Sequence, residues 1–264
     1  WDTLPQARFW QAMMCMPIDT SLINIAKTRE VLGRCRTGLI DSMDSDEIEA
    51  YKDSVREVYG LDKDVKLYIT SGRDFYYKFE DAFADVSPAI DEFGKKQVNP
   101  WYAQAILLIE SPGRNRRSGA GAYGSFQLMR GVARDMGLVV NSSRDDRKDL
   151  KKSAGAAAKF LKTVCIPRTK MILDELGLGY NEEDLWFRLL VLHVYHAGYR
   201  NVRGALLELN PKWAGPELIL DLWHTESRRF GNASQNYSQV ILASMVRTDV
   251  LLLETYNRRC TCCP

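Results

Sequence analysis

The chain has 264 residues, with 36 Lys plus Arg against 34 Asp plus Glu, and 45% of its residues are hydrophobic. That length can bury a substantial core, and the composition excludes both a disordered tail and a small scaffold held by disulfides alone. The longest apolar runs, near residues 105–109 and 189–192, are broken by charge or His well short of the roughly 20 residues that cross a bilayer, so no transmembrane segment is expected. The first residue is Trp1 and no basic-then-apolar leader precedes it, so the sequence reads as a mature or trimmed form.

Apolar residues recur at spacings of three and four through most of the chain, which predicts an all-α, mainly helical fold. Residues 45–59 read as a helix with a Ser45-Asp46-Glu47 start, an apolar stripe of Ile48, Tyr51, Val55 and Val58, and a stop at Gly60. Residues 65–70 alternate poorly and read as a short strand or turn. Phe75, Phe79, Phe83 and Val86 predict the next amphipathic helix. Asn99-Pro100 then opens a helix over 101–109 that is apolar on nearly every side and therefore central. From Ser111 to Gly124 come four Gly, one Pro and three Arg, which is loop chemistry. Helical periodicity resumes near Phe126, Leu128 and Met129, again over 150–164 with its small alanines, over 185–195 up to Gly198, and over 237–254.

Charge gathers in one stretch. Residues 112–170 hold 14 Lys plus Arg and 4 Asp, an excess of ten positive charges that should attract an anion. The alternative is a solvated basic face, the commoner outcome for a Lys-rich helix start such as 147–152. No nucleic-acid motif accompanies the charge, so an acidic polymer of another kind fits equally well. Of the six cysteines, Cys260, Cys262 and Cys263 crowd the C-terminus. Disulfides of an oxidising compartment and free thiols weigh equally here. Zinc is the weaker reading, because the tail lacks Cys-x-x-Cys spacing and His193 and His196 sit in an apolar helix. No metal and no cofactor are expected.

Glu110 ends the apolar run 105–109 and directly precedes the glycine-rich loop. Burial beside apolar side chains and the negative end of a helix dipole both disfavour the ionised carboxylate, so this position is expected to raise its pKa and suit it to donate a proton. The competing reading is a Glu satisfied by loop amides or by Arg114, Arg116 or Arg117.

The neighbouring sequence adds to this. Glu110-Ser111, then Ser118-Gly119-Ala120-Gly121-Ala122-Tyr123-Gly124-Ser125-Phe126-Gln127-Leu128-Met129, then Tyr195-His196-Ala197-Gly198 closely resemble, in order, the three motifs of lytic transglycosylases with a goose-lysozyme-like fold. Asn236-Tyr237 is a weaker echo of the membrane-bound D type. The resemblance spans roughly residues 75–245. It implies a lysozyme-like catalytic domain over 73–264 with a Cys-rich tail; the first 70 residues carry none of the family's motifs, and 1–72 are expected to form an N-terminal helical extension that packs on that domain.

Carried over residue by residue, the resemblance makes Glu110 the sole catalytic acid and base, with Ser111 beside it orienting substrate or carboxyl. Gly124, Ser125, Phe126 and Gln127 would line the sugar cleft. Tyr195 and Tyr237 would supply hydroxyls that hold the Glu and the substrate N-acetyl group. His196 stands where the family usually carries Asn, which changes a hydrogen-bonding group at the cleft. Tyr123 stands where a small residue is common and would add a stacking surface for a sugar ring.

A directly hydrolysing glycosidase normally uses two carboxylates, roughly 5 to 9.5 Å apart. Residues 111–127 contain no Asp or Glu, and Asp145, Asp146 and Asp149, set among Arg144, Arg147 and Lys148, read as solvated or capping groups. One acid implies the family's chemistry on peptidoglycan strands: cleavage of the β-1,4 bond between N-acetylmuramic acid and N-acetylglucosamine with a 1,6-anhydro product. The place implied is the periplasm or cell envelope. The alternatives are a lysozyme-type muramidase and a non-catalytic glycan-binding protein on the same fold.

Overall fold

A computed structural model describes residues 1, 3–110, 117–227 and 230–260, and for 257–260 the backbone alone. The fold is mainly α with one small sheet. Among the described residues no helix is long and apolar enough to cross a membrane. The polypeptide divides into two compact units, Trp1–Tyr77 with the chain from Leu242 onward, and Lys78–Ile241.

In the first unit, α1 (Pro5–Cys15) starts on a proline, whose fixed φ suits a first helical turn, and buries Phe9, Trp10 and Met13. Three antiparallel strands follow in the order β2-β1-β3: β1 (Thr20–Ile25), β2 (Val31–Arg36) and, after two helices, β3 (Leu67–Ser71). The helices are the short α2 (Thr37–Asp41) and α3 (Ser45–Val58). Ile23, Leu32 and Leu67 make a small core, and Tyr51 and Val55 of α3 pack on it.

The expectation of a helical extension over 1–72 is therefore corrected. β1 is the middle strand and its four inner residues are all buried, polar Ser21 and Asn24 beside apolar Leu22 and Ile23, so its sequence shows no strand alternation of apolar and polar positions. α3 starts at Ser45, where the sequence placed it, with its cap one residue ahead. Asp44 is the cap, accepting from the N–H groups of Asp46 and Glu47, while the Glu47 carboxylate accepts from Asp44 N–H at 2.9 Å.

The second unit holds α4 (Phe79–Lys95), α5 (Trp101–Glu110), α6 (Arg130–Asp135), α7 (Leu150–Phe160), α8 (Ile166–Glu175), α9 (Leu185–Ala197), α10 (Tyr199–Leu209), α11 (Pro216–His224) and the first part of α12 (Asn232–Cys260). Three stretches, α5 over 102–109 apart from Gln104, α9 over 186–194 apart from Arg188, and α12 over 234–241, are buried on nearly every side and form the centre. Asn99 turns the chain into α5 by accepting from Trp101 N–H at 3.0 Å.

Two helical expectations change here. Phe75 is exposed and the helix begins only at Phe79, continuing through Pro88 to Lys95. The helix read over 150–164 passes through a π turn (Leu161–Cys165) into α8, whose second residue is Pro167. A proline lacks the N–H that an unbroken α ladder needs, and the wider turn ahead of it absorbs that break.

Candidate active site

Glu110 is the last residue of α5, so the seven buried residues ahead of it, from Tyr102 apart from Gln104, fix where its carboxylate emerges. Its side chain is 17% exposed, sheltered yet open to solvent on one side. The Tyr237 hydroxyl, from the buried part of α12, donates to Glu110 Oε1 at 2.8 Å. That phenol's pKa is raised well above its ordinary value, first by burial and then by the Glu110 charge, so it stays a neutral donor. A phenol on Oε1 suits both charge states of the carboxyl, because the acid can carry its own proton on the other oxygen.

His196 sits in the last turn of α9, stacked on the Tyr237 ring with centroids 4.1 Å apart and planes 18° apart. Its Nδ1 lies 3.9 Å from Glu110 Oε1, and its side chain is 32% exposed. Gly198, with φ 82°, closes α9 by donating to Val194 C=O at 3.0 Å, and Asn201 caps the same end through Ala197 C=O at 2.8 Å. Tyr195, one residue before His196, points its hydroxyl elsewhere: it donates to Phe126 C=O at 2.6 Å. Burial first, then the Glu110 charge, pushes its pKa well above the ordinary phenol value.

The stretch expected to resume as a helix at Phe126 is instead a hairpin. Tyr123 and Leu128 pair as an antiparallel bridge around the turn Gly124–Gln127, and a true helix starts at Arg130. Phe126 and Leu128 are buried two residues apart while Met129 is exposed, which is a strand's period and not a helix's. Gly124 has φ 82°, and a Cβ there would lie 2.0 Å from Arg147 C=O, so glycine is required on both counts.

The Phe126 ring is buried against Phe93, centroids 5.7 Å apart, so this residue offers the site its carbonyl. Ser125 is buried. Gln127 adopts φ 44° and its Nε2 donates to Gly124 C=O at 2.9 Å, bracing the turn. The Tyr123 ring lies among cations, with Arg117 and Arg147 guanidiniums 5.0 and 5.5 Å from its centroid and the Lys148 ammonium at 6.0 Å. The sugar-stacking role expected of it therefore competes with cation–π contacts already made. Ser111, Arg114 and Arg116 lie outside the described residues, as do Cys262, Cys263 and the Cys260 side chain.

Arg147 is the functional support that sequence reading missed. Expected as part of a solvated face, it is 1% exposed. Its Nη1 donates to Gly121 C=O at 3.0 Å and Leu128 C=O at 2.9 Å, clamping both ends of the hairpin, while Nε and Nη2 donate to Asp145 at 2.9 and 2.8 Å. The available signal was Asp145 two residues before Arg147, a spacing that lets a short turn form a forked ion pair.

The other acids of that cluster are also engaged. Asp146 accepts from Arg144, Lys152 and Val139 N–H, which together hold its carboxyl below the usual range, and Asp149 caps α7. A second network was missed as well. Trp223 Nε1 donates to Ser238 Oγ at 2.7 Å, and Ser238 Oγ lies 2.8 Å from His193 Nε2, locking α12 to α9 and α11 beside Tyr237.

A groove of about 610 Å³ is rimmed by Lys96, Arg144, Lys151, Lys152 and Lys159, and Glu110, Tyr195 and Tyr237 take no part in its lining. Cys15, Cys35 and Cys165 are free thiols. Among the described residues no group of three His, Cys, Asp or Glu could hold a metal ion.

In comparison with known families, residues 88–208 fit the model of the transglycosylase SLT domain, a lysozyme-like, mainly α fold. Glu110, the hairpin, Tyr195 and His196 fall inside the matched stretch, and Tyr237 falls beyond it. No curated protein matches the chain.

Proposed function

We propose that this chain, whose residues 88–208 belong to the transglycosylase SLT family acting on peptidoglycan, is a lytic transglycosylase with Glu110 as its single acid and base. The observation that carries the reading is one sheltered carboxylate at the end of a buried helix, oriented by the Tyr237 hydroxyl at 2.8 Å. The acidic cluster that might have supplied a second carboxylate is occupied with Arg144, Arg147, Lys152 and the start of α7.

In this mechanism Glu110 gives its proton to the glycosidic oxygen between N-acetylmuramic acid and N-acetylglucosamine, and the C1–O bond breaks. The substrate's N-acetyl oxygen stabilises the developing charge at C1. Glu110, now a carboxylate, takes the proton of the muramic C6 hydroxyl, whose oxygen bonds to C1 and closes the 1,6-anhydro ring. The enzyme ends with the proton it began with, and no water is consumed. Tyr237 keeps the carboxyl aimed through both steps. The hairpin 123–128 and Tyr195 form the facing wall for the sugars, and the cell envelope is the place where this substrate lies.

Two measurements test the reading. Glu110→Gln is expected to abolish lysis of purified peptidoglycan while glycan binding persists; undiminished lysis would remove Glu110 from the mechanism. Mass spectrometry of wild-type digests is expected to show muramic ends lacking one water. Reducing ends would instead assign a lysozyme-type muramidase, and absence of any cleavage would assign a glycan-binding protein.

A further inference from the structure

A lone carboxyl is the proposed machinery, yet a second ionisable side chain stands within ion-pair distance of it. His196 Nδ1 is 3.9 Å from Glu110 Oε1, and the imidazole is held there by stacking on Tyr237 at 4.1 Å, so it cannot swing away without leaving that ring. The two side chains approach the same carboxyl oxygen, Tyr237 as a hydrogen-bond donor and His196 as a neighbour whose charge depends on pH.

We propose that His196 is a positioning residue that sets the proton occupancy of Glu110, withdrawing the acid whenever the imidazole holds the pair's one proton. The inference rests on Glu110 being the proton donor. With one proton between them, the pair exists either as carboxylic acid beside neutral imidazole or as carboxylate beside imidazolium. The proton count is the same in both, and only the first form can protonate a glycosidic oxygen. The imidazolium form gains the attraction of opposite charges at 3.9 Å, in a partly sheltered setting where solvent screens it incompletely.

On α12 the facing group is Tyr237, and on α9 the neighbours are Tyr195 and His193; burial drives both phenols well above their ordinary range and holds His193 at about 3, so all three stay neutral in the working range. Glu110 is the facing group on α5. Arg200 is exposed at the start of α10. The separation also excludes a different role. A base that activates water on the far side of the sugar ring needs roughly 6.5 to 9.5 Å from the acid, which His196 does not have.

The test is the pH profile of kcat/KM on peptidoglycan for wild type, His196→Asn and His196→Gln, with near-ultraviolet circular dichroism to show that each is folded. The balance between the two one-proton forms is itself independent of pH, so the pair gives up its last proton at a higher pH than the carboxyl alone would, and removing the imidazole moves the alkaline limb to lower pH. The ratio of activity on the alkaline limb to activity at the optimum is expected to fall about three-fold in both variants. Because the ratio is internal to each protein, a uniform loss of activity from altered substrate contacts does not move it. Profiles of unchanged shape in both variants would overturn the proposal. Glu110→Gln, run alongside, separates the two failures: retained lysis there sinks the assignment of the acid, whereas lost lysis with unchanged His196 profiles sinks this inference alone.

Discussion

At the scale of single residues, the hydrogen bond between Tyr237 and Glu110 is the contact on which the site depends. A hydrogen bond to a charged group contributes about 1.5–3 kcal/mol, and a carboxyl that loses it keeps its place in the chain but not its aim. Tyr237→Phe keeps the ring that stacks on His196 and deletes only the hydroxyl. It is therefore expected to lower kcat/KM on peptidoglycan about 10- to 100-fold with little change in melting temperature. An activity within two-fold of wild type would mean that another group orients the carboxyl. Tyr195→Phe is the informative comparison, because its hydroxyl serves Phe126 C=O and not Glu110, so its effect passes through the hairpin.

At the scale of elements, the hairpin shows why a local reading failed. Phe126, Leu128 and Met129 carry apolar side chains at spacings that a helix also offers, and the decision is made by partners outside the segment. One is Arg147 C=O, which fills the space a side chain at Gly124 would need; another is the Arg147 guanidinium, bonded to Gly121 and Leu128 carbonyls. Breaking a buried ion pair by removing one partner costs about 3–5 kcal/mol, since the remaining charge and carbonyls stay desolvated. Arg147→Met, which fills similar space without donors, is expected to lower the free energy of unfolding by about that amount in urea titrations. A loss under about 1 kcal/mol would show that the hairpin is held by its own turn. The helices α5 and α9 were legible for the opposite reason. They are buried on nearly every side along their middle stretches, so their own residues carry most of the signal, whereas the sheet strand β1 hides its period because both its faces are covered.

At the scale of the molecule, the sequence reading located Glu110 from its place between an apolar helix and a glycine-rich loop, but not the partner that orients it. Tyr237 lies 127 residues further on, and only the resemblance joined the two. The His193 network was likewise hidden, because a histidine in an apolar helix reads the same whether it is idle or bonded to Ser238.

Burying that histidine has a consequence for the stability of the whole fold. In the folded chain His193 is held down at about 3, first by burial and then by the nearby His196, whereas an unfolded histidine titrates near about 6.5. Between these values the unfolded chain binds a proton that the folded chain refuses, so stability rises with pH across the window and is lost on acidification from about 6.5 toward 3. The slope contributed by one such group approaches about 1.4 kcal/mol per pH unit. Asp145 and Asp146, held below the usual carboxylate range by their cation partners, lose their contribution mainly as pH falls from about 5 downward, so the upper part of the window is where the histidine acts with least competition from them. Urea titrations at pH 7, 6 and 5 are expected to show the wild type weakening over this interval. His193→Gln, which keeps an acceptor for Ser238 and cannot ionise, should start from a lower stability at pH 7 and weaken with a distinctly shallower slope. Parallel slopes for the two proteins would mean that the buried imidazole takes up its proton without unfolding the core around Tyr237.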